Sequence, residues 1–89
     1  MNDFMQNSSD TYKKIHFAIM AIEASAKKQN ISGNEMYNRL KKQDLINLRL
    51  IKHYDLLHTQ SLQWVVEDTI ETLEKFQLNE LIQNASSNL

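Results

Sequence analysis

The sequence predicts an all-α domain, a small bundle of four helices followed by a short C-terminal helix. Three observations lead there. The 89 residues include one Gly and no Pro, so the tight turns that join many short strands are largely missing. Apolar residues recur at three- and four-residue spacing through most of the chain, the period of a helix with one buried face. The residues that interrupt this pattern are Ser, Asn, Asp and Thr, whose side chains compete for backbone hydrogen bonds and favour helix ends. A chain of this mass buries roughly 64% of its unfolded surface on folding, which suits one domain with a thin core.

Residues 1–10 lack sustained periodicity and are expected to form a flexible lead-in, with Phe4 and Met5 available to dock. Ser9 or Asp10 is the expected N-cap of the first helix. From Thr11 to Gln29, Tyr12, Ile15, Ile19, Ile22 and Ala26 fall on one stripe that Phe17, Ala18, Met20 and Ala21 widen, which places this helix at the centre of the bundle. Asn30 and Ile31 make a short turn. Ser32, with Glu35 three residues on, is a capping box: the Ser oxygen accepts from the Glu35 N–H, and the Glu carboxylate reaches back to the Ser32 N–H. Ile31 and Met36 flank it as a hydrophobic staple. Met36, Tyr37 and Leu40 give the second helix its inward edge, with Arg39, Lys41 and Lys42 on and beside the exposed face.

Asp44 is the expected N-cap of a third helix reaching Leu57, with Leu45, Leu48, Ile51 and either Tyr54 or Leu56 facing inward. Ile46 and Leu50 make it apolar on a second side, as in a helix covered twice or one that meets a partner protein. His58 and Thr59 break the pattern, and Thr59 or Ser61 caps a fourth helix through Phe76. Its inward stripe is Leu62, Val65, Val66, Ile70, Leu73 and Phe76; Glu67, Asp68, Glu71 and Glu74 crowd its outer face. Asn79 starts the short terminal helix with Leu81 and Ile82. The single domain is expected to span residues 11–84, and residues 85–89 to form a frayed tail.

The formal net charge of −1 conceals an uneven distribution. Residues 13–52 hold nine of the ten Lys and Arg against three acids, whereas residues 53–89 hold six acids against Lys75 alone. This asymmetry predicts that basic and acidic helices pack beside each other, within one chain or between two copies. Lys27, Lys28, Arg39, Lys41 and Lys42 form a candidate basic patch, and a nucleic-acid-binding regulator is the alternative reading they support. The whole-chain pI of about 6.3 and the acidic fourth helix, which repels phosphates, argue against it. A homo-oligomeric structural domain is a further alternative. Tyr37 and Trp64 read as core or interface anchors.

Few residues suggest chemistry. The absence of Cys excludes disulfides, thiol catalysis and thiolate zinc sites. His53, Asp55 and His58 are the one metal-like cluster, but histidines five apart do not share a helical face. The carboxylate pairs Glu67/Glu71 and Glu71/Glu74 have acid–base spacing on a solvated face. One Gly cannot furnish a phosphate loop or a dinucleotide fingerprint. The expectation is a protein that is not an enzyme, with no metal and no cofactor. No stretch approaches the roughly 20 apolar residues of a membrane span, and Asp3 and Asp10 without an early Lys or Arg are unlike a signal peptide. The expected localisation is cytoplasmic, with no membrane partner.

Four strings are distinctive together: Ile31 to Tyr37 (ISGNEMY), Asp44-Leu45-Ile46, Tyr54 to Gln60 (YDLLHTQ) and Trp64 to Asp68 (WVVED). With Ile15-His16-Phe17 and Ile22-Glu23 in the first helix, the chain over residues 11–76 resembles a family of short bacterial proteins, common in gut Firmicutes, whose function is uncharacterised. The last 13 residues resemble a private extension. The resemblance implies a genetic context in which such proteins are encoded beside an ADP-ribosyltransferase-like protein. It therefore implies a non-catalytic protein-binding module, an antitoxin-like partner of that neighbour, by association alone. The candidate surface joins the end of the third helix to the start of the fourth, where Tyr54, Asp55, His58, Thr59, Gln60 and Trp64 combine aromatic anchors with polar contacts. The competing assignment makes Tyr54 and Trp64 core, Asp55 a helix N-terminal partner and Thr59 the cap of the fourth helix.

Overall fold

The protein, seen in a computed structural model, is described over backbone residues 2–87 and side chains 9–86. All regular structure among these residues is helical: α1 (Asn2–Gln29), α2 (Gly33–Lys42), a π-helix (Ile46–Ile51), α3 (Tyr54–Leu57) and α4 (Leu62–Ser87). The all-α class holds, while several element boundaries differ from those the sequence suggests.

Helix α1 runs unbroken for 28 residues, so Ser9 and Asp10 lie inside it and cap nothing. Ser and Asp cost a helix only a few tenths of a kcal/mol each relative to Ala, too little to stop one. The expected docking of Phe4 and Met5 lies outside the described side chains. The buried stripe of α1 is Ala18, Ala21, Ile22, Ser25 and Ala26. The smallest side chains face inward because α2, the π-helix and α4 all pack on this helix and small residues let them approach. Tyr12, Ile15 and Ile19, expected inside, are exposed, Tyr12 at 70%.

The helix ends in a Schellman motif. Asn30 adopts φ 59°; its N–H donates to Lys27 O at 3.2 Å and the Ile31 N–H to Ala26 O at 3.0 Å, which satisfies two terminal carbonyls. Ser32 then caps α2, its Oγ accepting from the Glu35 N–H at 3.0 Å. The Glu35 carboxylate turns instead to Arg39 Nη2 at 2.8 Å, so only the Ser half of the expected box forms. The staple is present: Met36 is buried and Ile31 packs against the same core. Tyr37 remains exposed at the edge of α2.

Asp44 closes α2 rather than opening the next helix. It sits at φ 61° with its N–H on Lys41 O at 3.0 Å, the left-handed position that follows a helix C-terminus and that Asp tolerates better than most residues. The continuous third helix expected from residue 44 to residue 57 is replaced by two pieces. In the π-helix the Lys52 N–H reaches back five residues to Asn47 O at 3.1 Å, and this wider turn puts residues five apart on one face. Leu45 and Leu50 are accordingly buried, and Leu48, which α-helical spacing places inside, is 57% exposed. The chain turns at Lys52 and His53 before α3, where Leu57 is buried.

Ser61 caps α4, its Oγ accepting from the Trp64 N–H at 3.1 Å. Thr59 does not share that role; its hydroxyl donates to Leu56 O at 2.7 Å. Val65, Val66, Thr69 and Leu73 face the core. Leu62 and Phe76, expected inward, are exposed at the two ends of this stripe. No break falls at Asn79: α4 continues through Ser87, so the expected fifth helix is its last turns. Of the expected frayed tail, residues 85–87 are helical and residues 88 and 89 lie outside the described residues.

The two charged halves meet within one chain. Arg49 Nη2 pairs with Asp68 Oδ2 at 2.6 Å, half-buried between the π-helix and α4. Lys42 Nζ lies 3.5 Å from Glu80, and Gln43 Nε2 donates to the same carboxylate at 2.5 Å. The Gln43 hydrogen bond, then the Lys42 charge, hold the Glu80 carboxyl below the ordinary glutamate range. Among the described residues no helix is long and apolar enough to cross a membrane.

Candidate functional site

The segment from Tyr54 to Trp64 folds as one turn of α3, a four-residue connection and the first turn of α4. Tyr54 is half-buried. Phe17 of α1 packs edge-on against its ring at 5.5 Å between centroids, and the His58 ring stacks on it at 4.5 Å and 12°. His58 is further fixed by Nδ1 at 2.8 Å from Tyr54 O. This three-ring stack carries core packing out to a surface histidine. Asp55 is exposed in the first turn of α3, and its side chain makes no capping hydrogen bond there. Gln60 is exposed, its N–H bonded to Leu57 O at 3.1 Å.

Trp64 is 43% exposed, so it is not the core residue that the competing assignment required. Two large apolar neighbours were missed as surface residues. Leu56 is 64% exposed, and Leu62 is exposed on the first turn of α4. The signal for Leu56 was its neighbour: of adjacent leucines in a four-residue helix only one can face inward, and Leu57 takes that place. Leu62 and Trp64, two residues apart, point to opposite sides of α4. The predicted six residues therefore form a knuckle with two faces.

On the Leu62 side the knuckle borders an open groove of about 360 Å³ between the C-terminal end of α1 and the start of α4. Ala24, Leu62 and Val66 make its apolar floor; Lys27 and Lys28 stand on one wall, Gln63 and Glu67 on the other. The two lysines occupy the last turn of α1, where the helix dipole favours positive charge.

The rest of the candidate basic patch is elsewhere. Arg39, Lys41 and Lys42 lie in the last turn of α2, roughly 9–13 Å of helix rise from its start at Gly33. Arg39 is paired with Glu35 and Lys42 with Glu80, and Lys41 Nζ rests 5.8 Å from the centre of the Tyr37 ring. The five cations thus form two groups, and the second is largely engaged by its own chain. Among the described residues no three His, Asp or Glu side chains converge as metal ligands.

The model of a protein family described as "Protein of unknown function (DUF3791)" matches residues 16–76. The chain belongs to the DUF3791 family. Every buried residue from Ala18 to Leu73 falls inside the matched span, as do the knuckle and its groove. The DUF3791 match leaves out the start of α1 and the last turns of α4, which carry the exposed Tyr12, Ile15, Leu78, Leu81 and Ile82. No curated protein and no solved structure matches the chain.

Proposed function

We propose that this DUF3791 protein is a non-catalytic module that binds another protein through the α3–α4 knuckle and the adjoining groove. The observation that carries this reading is the exposure of Leu56, Leu62 and Trp64 within nine residues, inside the family span, on a turn braced by the Phe17–Tyr54–His58 stack. Clustered exposed apolar residues with a polar surround mark interaction sites on small domains. The wall of Lys27 and Lys28 defines the partner's chemistry: an apolar side chain to fill the groove beside Leu62, flanked by acidic residues.

In its most specific form the partner is the co-encoded ADP-ribosyltransferase-like protein that the family resemblance suggests, with this chain as its antitoxin-like counterpart. Mixing the two purified proteins tests it. A complex at micromolar concentration that Leu62→Glu weakens at least tenfold, with the helical circular dichroism of the variant unchanged, supports the reading. No complex at that concentration, or a complex indifferent to Leu62→Glu, overturns it.

A further inference from the structure

The two ring nitrogens of His58 stand in different surroundings, and the difference bears on what the knuckle receives. Tyr54 O can only accept, so the Nδ1 that lies 2.8 Å from it carries the ring proton. The same oxygen accepts the His58 backbone N–H at 2.9 Å, which occupies both of its lone pairs. The neutral imidazole therefore keeps its own lone pair on Nε2, which has no partner among the described residues, on a side chain that is exposed. Stacking on the Tyr54 ring at 12° fixes the ring plane as well, so this acceptor points in one direction before anything binds.

Asp55 supplies a second unused acceptor beside the first. The backbone stays helical through His58, so Tyr54 and Asp55, four and three residues earlier, flank His58 on its two sides, at the roughly 5–6 Å between Cβ atoms usual for such pairs. Tyr54 covers one side, and Asp55 stands exposed on the other. The Asp55 carboxylate makes no ion pair or hydrogen bond among the described residues, and Lys52 on the preceding turn does not reach it. No third His, Asp or Glu joins the two as a metal-ligand set. On the strength of the knuckle reading above, we infer that Asp55 and His58 together receive an arginine guanidinium of the partner protein. The guanidinium is a planar fork of five N–H donors with a permanent charge: the Asp55 carboxylate meets the charge and part of the fork, and His58 Nε2 accepts a further N–H. A lysine ammonium matches the charge but lacks the flat fork that serves two acceptors on separate side chains. Arginine is also among the residues that anchor interfaces most often. With Lys27 and Lys28 on the wall of the groove, the partner presents a basic anchor to the knuckle and acidic residues to the groove, and these opposite charges set its orientation.

Long-range ¹H–¹⁵N NMR of the free, full chain at pH 8, above the ordinary histidine range, tests the first step without a partner. The expected result is a protonated Nδ1 and a bare Nε2 at His58, its resonances assigned by their absence in His58→Phe; a bare Nδ1 overturns the inference. The second step uses the complex with the transferase-like protein proposed above. His58→Phe keeps a ring to stack on Tyr54 and removes the acceptor; Asp55→Asn keeps the shape and removes the charge. Each raises the dissociation constant at least fivefold with the helical circular dichroism unchanged. One arginine of the partner is protected from phenylglyoxal by the unaltered chain, and that protection is lost with Asp55→Asn at the same concentrations. A complex that Leu62→Glu weakens but that either of these variants binds as tightly as the unaltered chain, or one with no protected arginine, overturns this inference and leaves the knuckle reading standing. No complex at all overturns both.

Discussion

Replacing Leu48 and Leu50 separately by Ala decides whether the chain between α2 and α3 runs in the π register. Regular α-helical spacing from Leu45 puts Leu48 on the buried face; the structure exposes 57% of Leu48 and only 1% of Leu50. Full burial of a leucine is worth about 1.5–3 kcal/mol, so the buried 43% of Leu48 accounts for roughly 0.6–1.3 kcal/mol. Leu50→Ala also leaves a cavity, and core Leu→Ala changes cost about 2–5 kcal/mol. Total stability for 89 residues is on the order of 4–13 kcal/mol, so the second change removes a large share. Urea denaturation followed by circular dichroism at 222 nm reads the difference. With a slope of about 2 kcal/mol per molar, mid-range for a small domain, Leu50→Ala lowers the midpoint by roughly 1–2.5 M and Leu48→Ala by roughly 0.3–0.7 M. Equal losses, or a larger loss at Leu48, would refute the five-residue register and restore a continuous third helix.

Other substitutions test the turns and the charge contacts. A Cβ on Gly33 would meet only the end of the exposed Glu23 side chain, and its φ is not positive; Gly33→Ala should be neutral or stabilise by up to about 1 kcal/mol, and a clear loss in thermal melts would show that Glu23 cannot move. Asn30 and Asp44 hold positive φ, so Asn30→Ala and Asp44→Ala should each cost about 1 kcal/mol in the same melts while the Gly variants cost nothing or stabilise; equal effects of Ala and Gly would argue against left-handed backbone there. Because the Glu80 carboxyl titrates below its unfolded value, its contribution is present above the ordinary glutamate range and is lost as pH falls through the lowered value. NMR titration should show Glu80 moving toward the ordinary range in Gln43→Leu, and an unchanged titration would remove Gln43 as the principal cause.

The all-α class was legible because no strong turn or strand signal competes with the helical period, and the cap at Ser32 is local chemistry that three or four residues settle, whereas Thr59 and Ser61 were equally eligible to cap α4 and the structure selects Ser61. The Asn30 turn was legible for the same reason. Periodicity failed where tertiary packing decides which of two apolar faces is used. In α1 the large residues Tyr12, Ile15 and Ile19 mark a better stripe than Ala18, Ala21 and Ser25, yet close packing of three neighbours selects the small side chains. At Asp44 the side chain suits an N-cap and a left-handed residue after a helix equally well, and only the backbone distinguishes them. The six-residue knuckle was legible as a surface turn from its polar residues. Its apolar part was not, because Leu56 and Leu62 fit an inward stripe and are exposed by the shortness of α3 and by their place at a helix end.

Trp64 is the one tryptophan of the chain and stands on the knuckle, so it reports directly on the central claim. The measurement is ¹⁹F NMR of the chain labelled with fluorotryptophan, titrated with an unlabelled transferase-like protein of the kind proposed above as its partner. Binding through the knuckle predicts a shifted or broadened Trp64 resonance that saturates at one partner per chain, with the change lost in Leu62→Glu. A Trp64 resonance that stays in place at 100 μM partner, or one that responds equally in Leu62→Glu, would contradict the account.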